Sequence, residues 1–313
     1  MSYKALIADS LPAEALERLR AGAVQADGRD GILAEKLLEV IPNYHALIVR
    51  GRSKVTAQLF EAAKELKVVG RAGVGVDNID LAAAIAHGVI VVNTPQSTSI
   101  AVAEHTFALM LALIRQIPRA DVEMKKGAWP KKELEGVELN GKTLGVIGVG
   151  NIGAQVARLA AAFAMRVLGY DPLLDAKTIE SRGAQPATIE QIYSESDFIT
   201  LHLPLLPQTR GIINRDVFEK VKRGVYLICA ARGGVIDEDA LLSALSSGRV
   251  SGAALDVFEN EPPGASPLVT HPKVVATPHI GAQTVEAQTR AAMDVAEEVL
   301  NALEGKPLRW QVK

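Results

Sequence analysis

The stretch Gly148-Val149-Gly150-Asn151-Ile152-Gly153 lies near the midpoint of a chain of 313 residues. Three glycines at this spacing mark only a tight turn when taken alone, so the flanking sequence has to carry the reading. Residues 143–147 form a short apolar run with strand character, and 154–163 continue as an alanine-rich helical pattern. The loop therefore joins a strand to a helix. In that setting Gly148 permits the turn, Gly150 lets the main chain approach a pyrophosphate, and Gly153 lets the helix pack on the strand. The helix N-terminus offers N–H groups and a partial positive charge to the phosphates. A second apolar run, 166–170, ends in Asp171, 18 residues beyond Gly153, near the spacing of the acid that hydrogen-bonds an adenosine ribose. A carboxylate there repels a 2′-phosphate. Pro172, Leu173 and Leu174 bring no arginine beside it, so NAD is expected in preference to NADP. A plain strand-to-helix turn with a surface aspartate is the competing reading.

A dinucleotide site that starts halfway along the chain leaves a substantial first half to explain. The length fits two domains of roughly 150 residues, and with 48% hydrophobic and 22% charged residues each half can bury a core. The net charge of −2 gives no reason to expect nucleic acid or an anionic membrane as partner. Cys229, the single cysteine, excludes an internal disulfide and suits a reducing compartment. It lies in an apolar run and reads as a buried structural thiol. The chain opens on a strand-like segment instead of a secretory signal, and no stretch has the apolar length of a membrane span. Cytoplasm is the expected location.

Strand-like and helix-like segments alternate through both halves, which predicts α/β architecture with two open parallel sheets. Before the fingerprint, strands are expected at 4–8, 46–50, 68–71 and 89–92, and helices at 13–20, 57–66 and 81–86. After it, strands are expected at 198–203, 225–229, 252–255 and 274–276. Between the halves, 97–126 reads as a long helix broken near Pro118. Residues 107–114 are apolar on every face, predicting burial on all sides in the core or between subunits, and motivating a homodimer. An amphipathic helix over 283–303, stopped by Gly305, predicts that the chain returns to its first domain.

Chemistry needs side chains beyond the glycines. Arg232 follows one expected strand, Glu259 and Glu261 follow the next, and His279 follows the last. Open α/β sheets bind ligands at such carboxyl ends. For a hydroxyl-to-carbonyl oxidation, His279 is the acid/base. Glu261 fixes its tautomer and favours the imidazolium, and Arg232 holds a substrate carboxylate. Each residue also has a plainer reading: a turn histidine, solvated loop carboxylates, and an ordinary ion-pair arginine.

The fingerprint with Asp171, together with CAARGGVIDE at 229–238, AALDVFENEPP at 253–263 and TPHIGA at 277–282, resembles the D-isomer-specific 2-hydroxyacid dehydrogenase family over essentially the whole chain. The resemblance puts the family's Arg, Glu and His on Arg232, Glu261 and His279. It implies backbone contacts of Asn151 and Ile152 with the pyrophosphate. It also implies nicotinamide contacts at Ala230 and Asp256, and further cofactor contacts at Val74, Leu203, Gly281 and Ala282. The implied architecture is a flavodoxin-like substrate domain over 1–96 and 287–313, and a Rossmann NAD-binding domain over 97–286, with no metal site.

Within the family, GRAGVGVDN at 70–78, LNGKTLG at 139–145 and LPLLP at 203–207 are most similar to the branch that oxidises 3-phospho-D-glycerate to 3-phosphooxypyruvate at the start of L-serine synthesis. A phosphorylated 2-hydroxy acid needs cations besides Arg232. Arg50, Gly73, Val74, Gly75 and Lys131 are the implied substrate contacts, while Arg52 and Lys132 read as a solvated basic loop. Val74 stands where many members of the branch carry a hydroxyl, which leaves main-chain contacts there. With Lys313 as its end, the chain resembles the short form, without a regulatory C-terminal domain. Two alternatives stay open: a glyoxylate or hydroxypyruvate reductase with the same three polar residues, and an NAD-sensing co-repressor on the same scaffold.

Overall fold

The computed structural model describes residues 3–312; Met1, Ser2 and Lys313 of the expected domain ranges lie outside the described residues. The chain first runs through β1 (Tyr3–Ile7), α1 (Ala13–Ala21), β2 (Val24–Gly28), α2 (Ala34–Val40), β3 (Ala46–Val49), α3 (Ala57–Ala62), β4 (Val68–Arg71), α4 (Leu81–Ala86) and β5 (Ile90–Val92). Two helices follow, α5 (Ser99–Ile114) and α6 (Ile117–Lys125). Then come β6 (Thr143–Ile147), α7 (Asn151–Ala162), β7 (Arg166–Tyr170), α8 (Ala176–Ser181), β8 (Gln185–Pro186), α9 (Ile189–Glu195) and β9 (Phe198–Leu201). They are followed by α10 (Arg215–Lys220), β10 (Val225–Cys229), α11 (Glu238–Ser246), β11 (Val250–Leu255) and β12 (Val274–Ala276). The chain closes with α12 (Val285–Glu304) and β13 (Gln311–Val312).

Two compact units result, one holding the residues up to Ser99 and from Ala282 on, the other Ile100–Gly281. In the first, the sheet order is β13-β5-β4-β3-β1-β2. All pairs are parallel except β13 with β5. Apart from β13 this is the flavodoxin-like order, whose switch point lies at the carboxyl ends of β1 and β3, next to Asp9 and Arg50. One face buries Ala5, Ile7, Ala46 and Ile48 with α12 residues Ala291, Val295 and Val299; the other buries Leu6, Leu47 and Val49 with Leu59 and Phe60. Gly70 in β4 is where α12 comes closest, since a Cβ there would lie 2.6 Å from Val299 Cγ2. Thr284 caps α12 by accepting from the N–H of Ala287 at 3.1 Å, and Gly305 ends it in the left-handed region at φ 69°.

The second unit has the order β12-β11-β10-β9-β6-β7-β8, parallel throughout. This is the doubly wound dinucleotide order with one further strand, and its switch point lies between β6 and β9. Both faces are covered, which is why its strands read as unbroken apolar runs and not as alternating ones.

Several expectations need correction. The break between α5 and α6 comes at Arg115 and Gln116, before Pro118, with Gln116 in the left-handed region at φ 50°. Pro118 sits inside the first turn of α6, where its missing N–H is harmless. Residues 107–114 are not buried all round: Ala108 is exposed and Leu111 and Ala112 are half-buried. The strand expected at 198–203 stops at Leu201, and the helix expected at 57–66 stops at Ala62. Among the described residues no single helix is long and apolar enough to cross a membrane.

Candidate active site

β10, β11 and β12 are neighbours in the second sheet, so the loops that leave their carboxyl ends are neighbours too. Asp256 follows β11 directly and is 1% exposed. Its Oδ1 accepts from Thr277 Oγ1 at 2.6 Å and from the Ile280 N–H at 2.9 Å, and its Oδ2 accepts from the Gly281 N–H at 2.8 Å. His105, from α5, brings Nε2 within 3.3 Å of the same carboxylate and 3.1 Å of Thr277 Oγ1. Burial pushes the Asp256 carboxyl up, but the hydrogen bonds from His105, Thr277 and the two main-chain N–H groups hold it below the usual carboxylate value. The loop that follows β12 is thereby wrapped around one buried charge.

That wrapping sets His279 in the left-handed region at φ 52°, an uncommon conformation for a side-chain-bearing residue. Its N–H donates to the carbonyl of Asp256 at 2.8 Å. The imidazole then meets Glu261, with Nδ1 2.7 Å from Oε2. The other oxygen of Glu261 accepts from the Phe258 N–H at 3.1 Å. Burial raises the Glu261 carboxyl, but its hydrogen bond and charge pairing with His279 outweigh that and hold it low. An ionised Glu261 on Nδ1 fixes the tautomer that leaves Nε2 for chemistry. The side chain of His279 is 47% exposed, so Nε2 is accessible to a small molecule.

Arg232 stands three residues past β10, half-buried, with Nη1 donating to the Ala231 carbonyl at 2.7 Å. Its neighbour Gly233 lies so close to the turn that carries Glu261 that a Cβ there would be 1.7 Å from the Phe258 carbonyl oxygen. Glu238 accepts from the Glu259 N–H at 2.6 Å and steadies the same turn. Ala230 is buried at 9% exposure. Cys229 is buried and free, its thiol pushed up to about 11 by burial, as suits a structural residue.

At the β6 end, Gly148 has φ 91°, and a Cβ on it would lie 2.5 Å from the His202 carbonyl oxygen and 3.0 Å from Leu203. A Cβ on Gly153 would lie 2.1 Å from the Gly148 carbonyl oxygen. Gly150, by contrast, faces open space, and the twelve-residue α7 begins after it with no side-chain cap. An open glycine at an uncapped helix N-terminus is a cradle for a diphosphate. Asn151 is exposed and Ile152 half-buried at this N-terminus. Asp171 accepts from the Val149 N–H and the Leu173 N–H, each at 3.0 Å. Each carboxylate oxygen keeps a lone pair for a ribose hydroxyl. These residues fit NAD.

The remaining expected contacts belong to the first unit, apart from Lys131, which is exposed on a short 3-10 turn of the second. Asp9, 4% exposed, accepts from the Arg50 N–H at 2.6 Å, Ser53 Oγ at 2.7 Å and Arg52 Nε at 3.2 Å. Asn78 holds the same loop by donating to the carbonyls of Arg50 at 2.9 Å and Ser53 at 2.6 Å. Arg52 is paired with Asp9 and Asp30 and is spent as a cation. Among the described residues, the guanidinium of Arg50 hydrogen-bonds only to neutral acceptors at 3.4 Å, the Ser10 carbonyl and Gln283 Oε1. Burial lowers its pKa, yet a guanidinium stays charged at working pH. Gly73 has φ 145°, and the Arg71 guanidinium occupies the space where its Cβ would be. The Val74 carbonyl accepts from Asn93 at 2.6 Å, and Gly75 is half-buried.

His105 is the residue that reading along the chain missed. It sits in a stretch that reads as core helix and carries no local signal.

Residues 107–281 match the model of the D-isomer specific 2-hydroxyacid dehydrogenase NAD binding domain. The chain is 45% identical over 307 residues to a D-3-phosphoglycerate dehydrogenase of Archaeoglobus fulgidus, covering 98% of this chain and 58% of the relative. It is 48% identical over 305 residues to the enzyme of the same name from Methanocaldococcus jannaschii, covering 97% and 58%. The chain thus spans somewhat over half the length of the curated relatives it matches. A glyoxylate reductase structure from Paecilomyes thermophila superposes with a TM-score of 0.91 at 32% identity, covering 99% of this chain and 98% of that one. With two open α/β sheets and an NAD-binding domain matched over more than half its length, the chain belongs to the D-isomer specific 2-hydroxyacid dehydrogenase family.

Proposed function

We propose that the chain oxidises 3-phospho-D-glycerate to 3-phosphooxypyruvate, the entry to L-serine synthesis, with NAD as the redox partner. The observation that carries the chemistry is the 2.7 Å contact between His279 Nδ1 and Glu261 Oε2 on a loop tied to a buried aspartate. The relatives named D-3-phosphoglycerate dehydrogenase support the substrate. Bound NAD supplies the hydride acceptor. His279 Nε2 takes the hydroxyl proton from the substrate, and Glu261 stabilises the imidazolium that forms. Arg232 holds the substrate carboxylate and orients the hydroxyl toward His279. Ala230, Asp256, Leu203, Gly281 and Ala282 complete the cofactor contacts in this reading, with residues 97–286 as the NAD-binding unit. Residues 1–96 and 287–313 recognise substrate, through Arg50 and the main chain of Gly73, Val74 and Gly75, with Lys131 as a further cation.

The test is a panel of 2-hydroxy and 2-oxo acids followed through NADH absorbance. The reading requires 3-phosphoglycerate to give the highest kcat/KM. The similarity to a glyoxylate reductase structure keeps a second reading in view, and preference for glyoxylate or hydroxypyruvate would replace the first with it. Arg50 gives a sharper form of the same test. Arg50→Ala should raise KM for 3-phosphoglycerate by about 10-fold or more, the scale of a lost charge-assisted contact. KM for hydroxypyruvate should move little. Equal shifts for both acids would remove Arg50 from phosphate recognition.

We also propose a homodimer. Ile117 at 54%, Val122 at 49%, Met124 at 50% and Trp129 at 76% exposure leave large apolar side chains in solvent on and just after α6. Exposed apolar surface is what interfaces cover, and self-complementary pairing is the commonest way to cover it. Trp129→Glu should therefore shift the mass in light scattering from dimer to monomer; an unchanged mass would place any interface elsewhere. The single, buried thiol of Cys229 is compatible with a cytoplasmic location.

A further inference from the structure

Val149 is fully buried inside the glycine loop, and both of its main-chain polar groups are claimed by charged side chains. Its N–H donates to Asp171 Oδ2 at 3.0 Å, and its carbonyl accepts from Arg182 Nη1 at 2.6 Å. Arg182 caps the C-terminal end of α8, 11 residues beyond Asp171, and Gly183 at φ 88° turns the chain away after it. Its guanidinium is half-buried, and among the described residues no carboxylate lies within ion-pair distance of it. A full positive charge therefore rests on the loop that faces a diphosphate. The main-chain N and O of one residue are only about 3 Å apart by covalent geometry. The anion that excludes a 2′-phosphate and a cation suited to attract one thus grip the same residue from its two ends.

The sequence beside Asp171 offers no arginine, and the expectation of NAD over NADP leaned on that absence. The fold supplies one from farther along the chain. We propose that Arg182 is a positioning and specificity-determining residue of the dinucleotide site. It holds the Val149 carbonyl so that the 148–153 loop keeps its diphosphate-binding shape. Its charge is the latent partner of a 2′-phosphate, so that Asp171 alone keeps NADP out. The Val149 hydrogen bonds carry the first part. The unpaired charge beside Asp171 carries the second.

This inference rests on the NAD reading, and its test reads binding instead of turnover. NADH and NADPH are titrated by nicotinamide fluorescence against the full chain and its Arg182→Ala, Arg182→Lys, Asp171→Ser and Asp171→Ser/Arg182→Ala variants, with Tm measured for each. Arg182→Ala should weaken NADH by about 10-fold, the scale of one hydrogen bond to a charged group. Arg182→Lys should recover part of that, since an ammonium can still donate to the carbonyl. Asp171→Ser should bring NADPH to within reach of NADH, and the double variant should lose that gain. A purely structural arginine would lower Tm in Arg182→Ala while the NADPH gain of Asp171→Ser survived in the double variant, and that result overturns the proposal. So does unchanged NADH affinity in Arg182→Ala. Should the unsubstituted chain bind neither dinucleotide, the NAD reading fails first and takes this one with it.

Discussion

His279→Ala is expected to lower kcat for 3-phosphoglycerate oxidation by about 10²- to 10⁴-fold, the range that positioned proton transfer contributes, while NADH affinity stays within about 2-fold. The separation follows from where the side chain is tied. Nδ1 is bound to Glu261, the main-chain N–H is bound to the Asp256 carbonyl, and the glycine loop 148–153 is held by other residues, Asp171 and Arg182. Removing the imidazole takes away a proton acceptor and leaves the dinucleotide cradle standing. Glu261→Gln should be milder, because an amide oxygen still accepts from Nδ1 but no longer offers a charge to the imidazolium. Stopped-flow turnover alongside NADH titration distinguishes the outcomes. Parallel losses of turnover and affinity in His279→Ala would mean that the histidine is a cofactor contact and that the proton acceptor is elsewhere.

The sequence was most legible where one local pattern decides the structure. The 148–153 glycines between an apolar strand and an alanine-rich helix fixed the dinucleotide unit, because each glycine has a local steric duty that its neighbours reveal. The alternation of strand-like and helix-like segments announced the two parallel sheets, since a parallel pair needs a crossover connection. Legibility failed where pairing partners are distant. β2 (Val24–Gly28) is an edge strand carrying Gln25, Asp27 and Gly28, so it lacks the apolar run that betrays a central strand. β13 is two residues long and exists only because β5 offers an open edge. His105 lies about 170 residues from Thr277 in sequence, as its hydrogen bond to it records. Arg52 reads as part of a solvated basic loop, and only the fold brings Asp9 and Asp30 to it. The left-handed backbone of His279 is likewise invisible in TPHIGA, because what enforces it is the buried carboxylate at the end of another strand.

Asp256→Asn should test that enforcement. The carboxylate takes donors from Thr277, Ile280 and Gly281, with His105 beside it, and no donor of its own is needed. An amide of the same shape keeps one acceptor oxygen and turns an NH₂ group toward an N–H that has nowhere else to go. Leaving a buried donor unmet costs about 1–3 kcal/mol, and more where the lost partner was charged. A loss of about 2–4 kcal/mol is therefore expected, or roughly 5–15 °C in Tm at about 2–4 °C per kcal/mol for a unit of this size. The pH dependence has a definite sign. The folded carboxyl is held below its ordinary value, so its contribution to stability is fully present above the unfolded pKa and disappears as pH falls through the lower folded one. The unsubstituted protein should therefore lose Tm steeply below about pH 4, and Asp256→Asn should show a shallower acid slope from a lower starting point. Turnover should fall with it, because the 277–281 loop that sets His279 against Glu261 is no longer pinned. Melting curves from pH 3 to 8 with parallel kcat measurements decide the matter. An Asp256→Asn protein with the melting curve and kcat of the parent would show that the chain around His279 holds its strained shape without the buried charge.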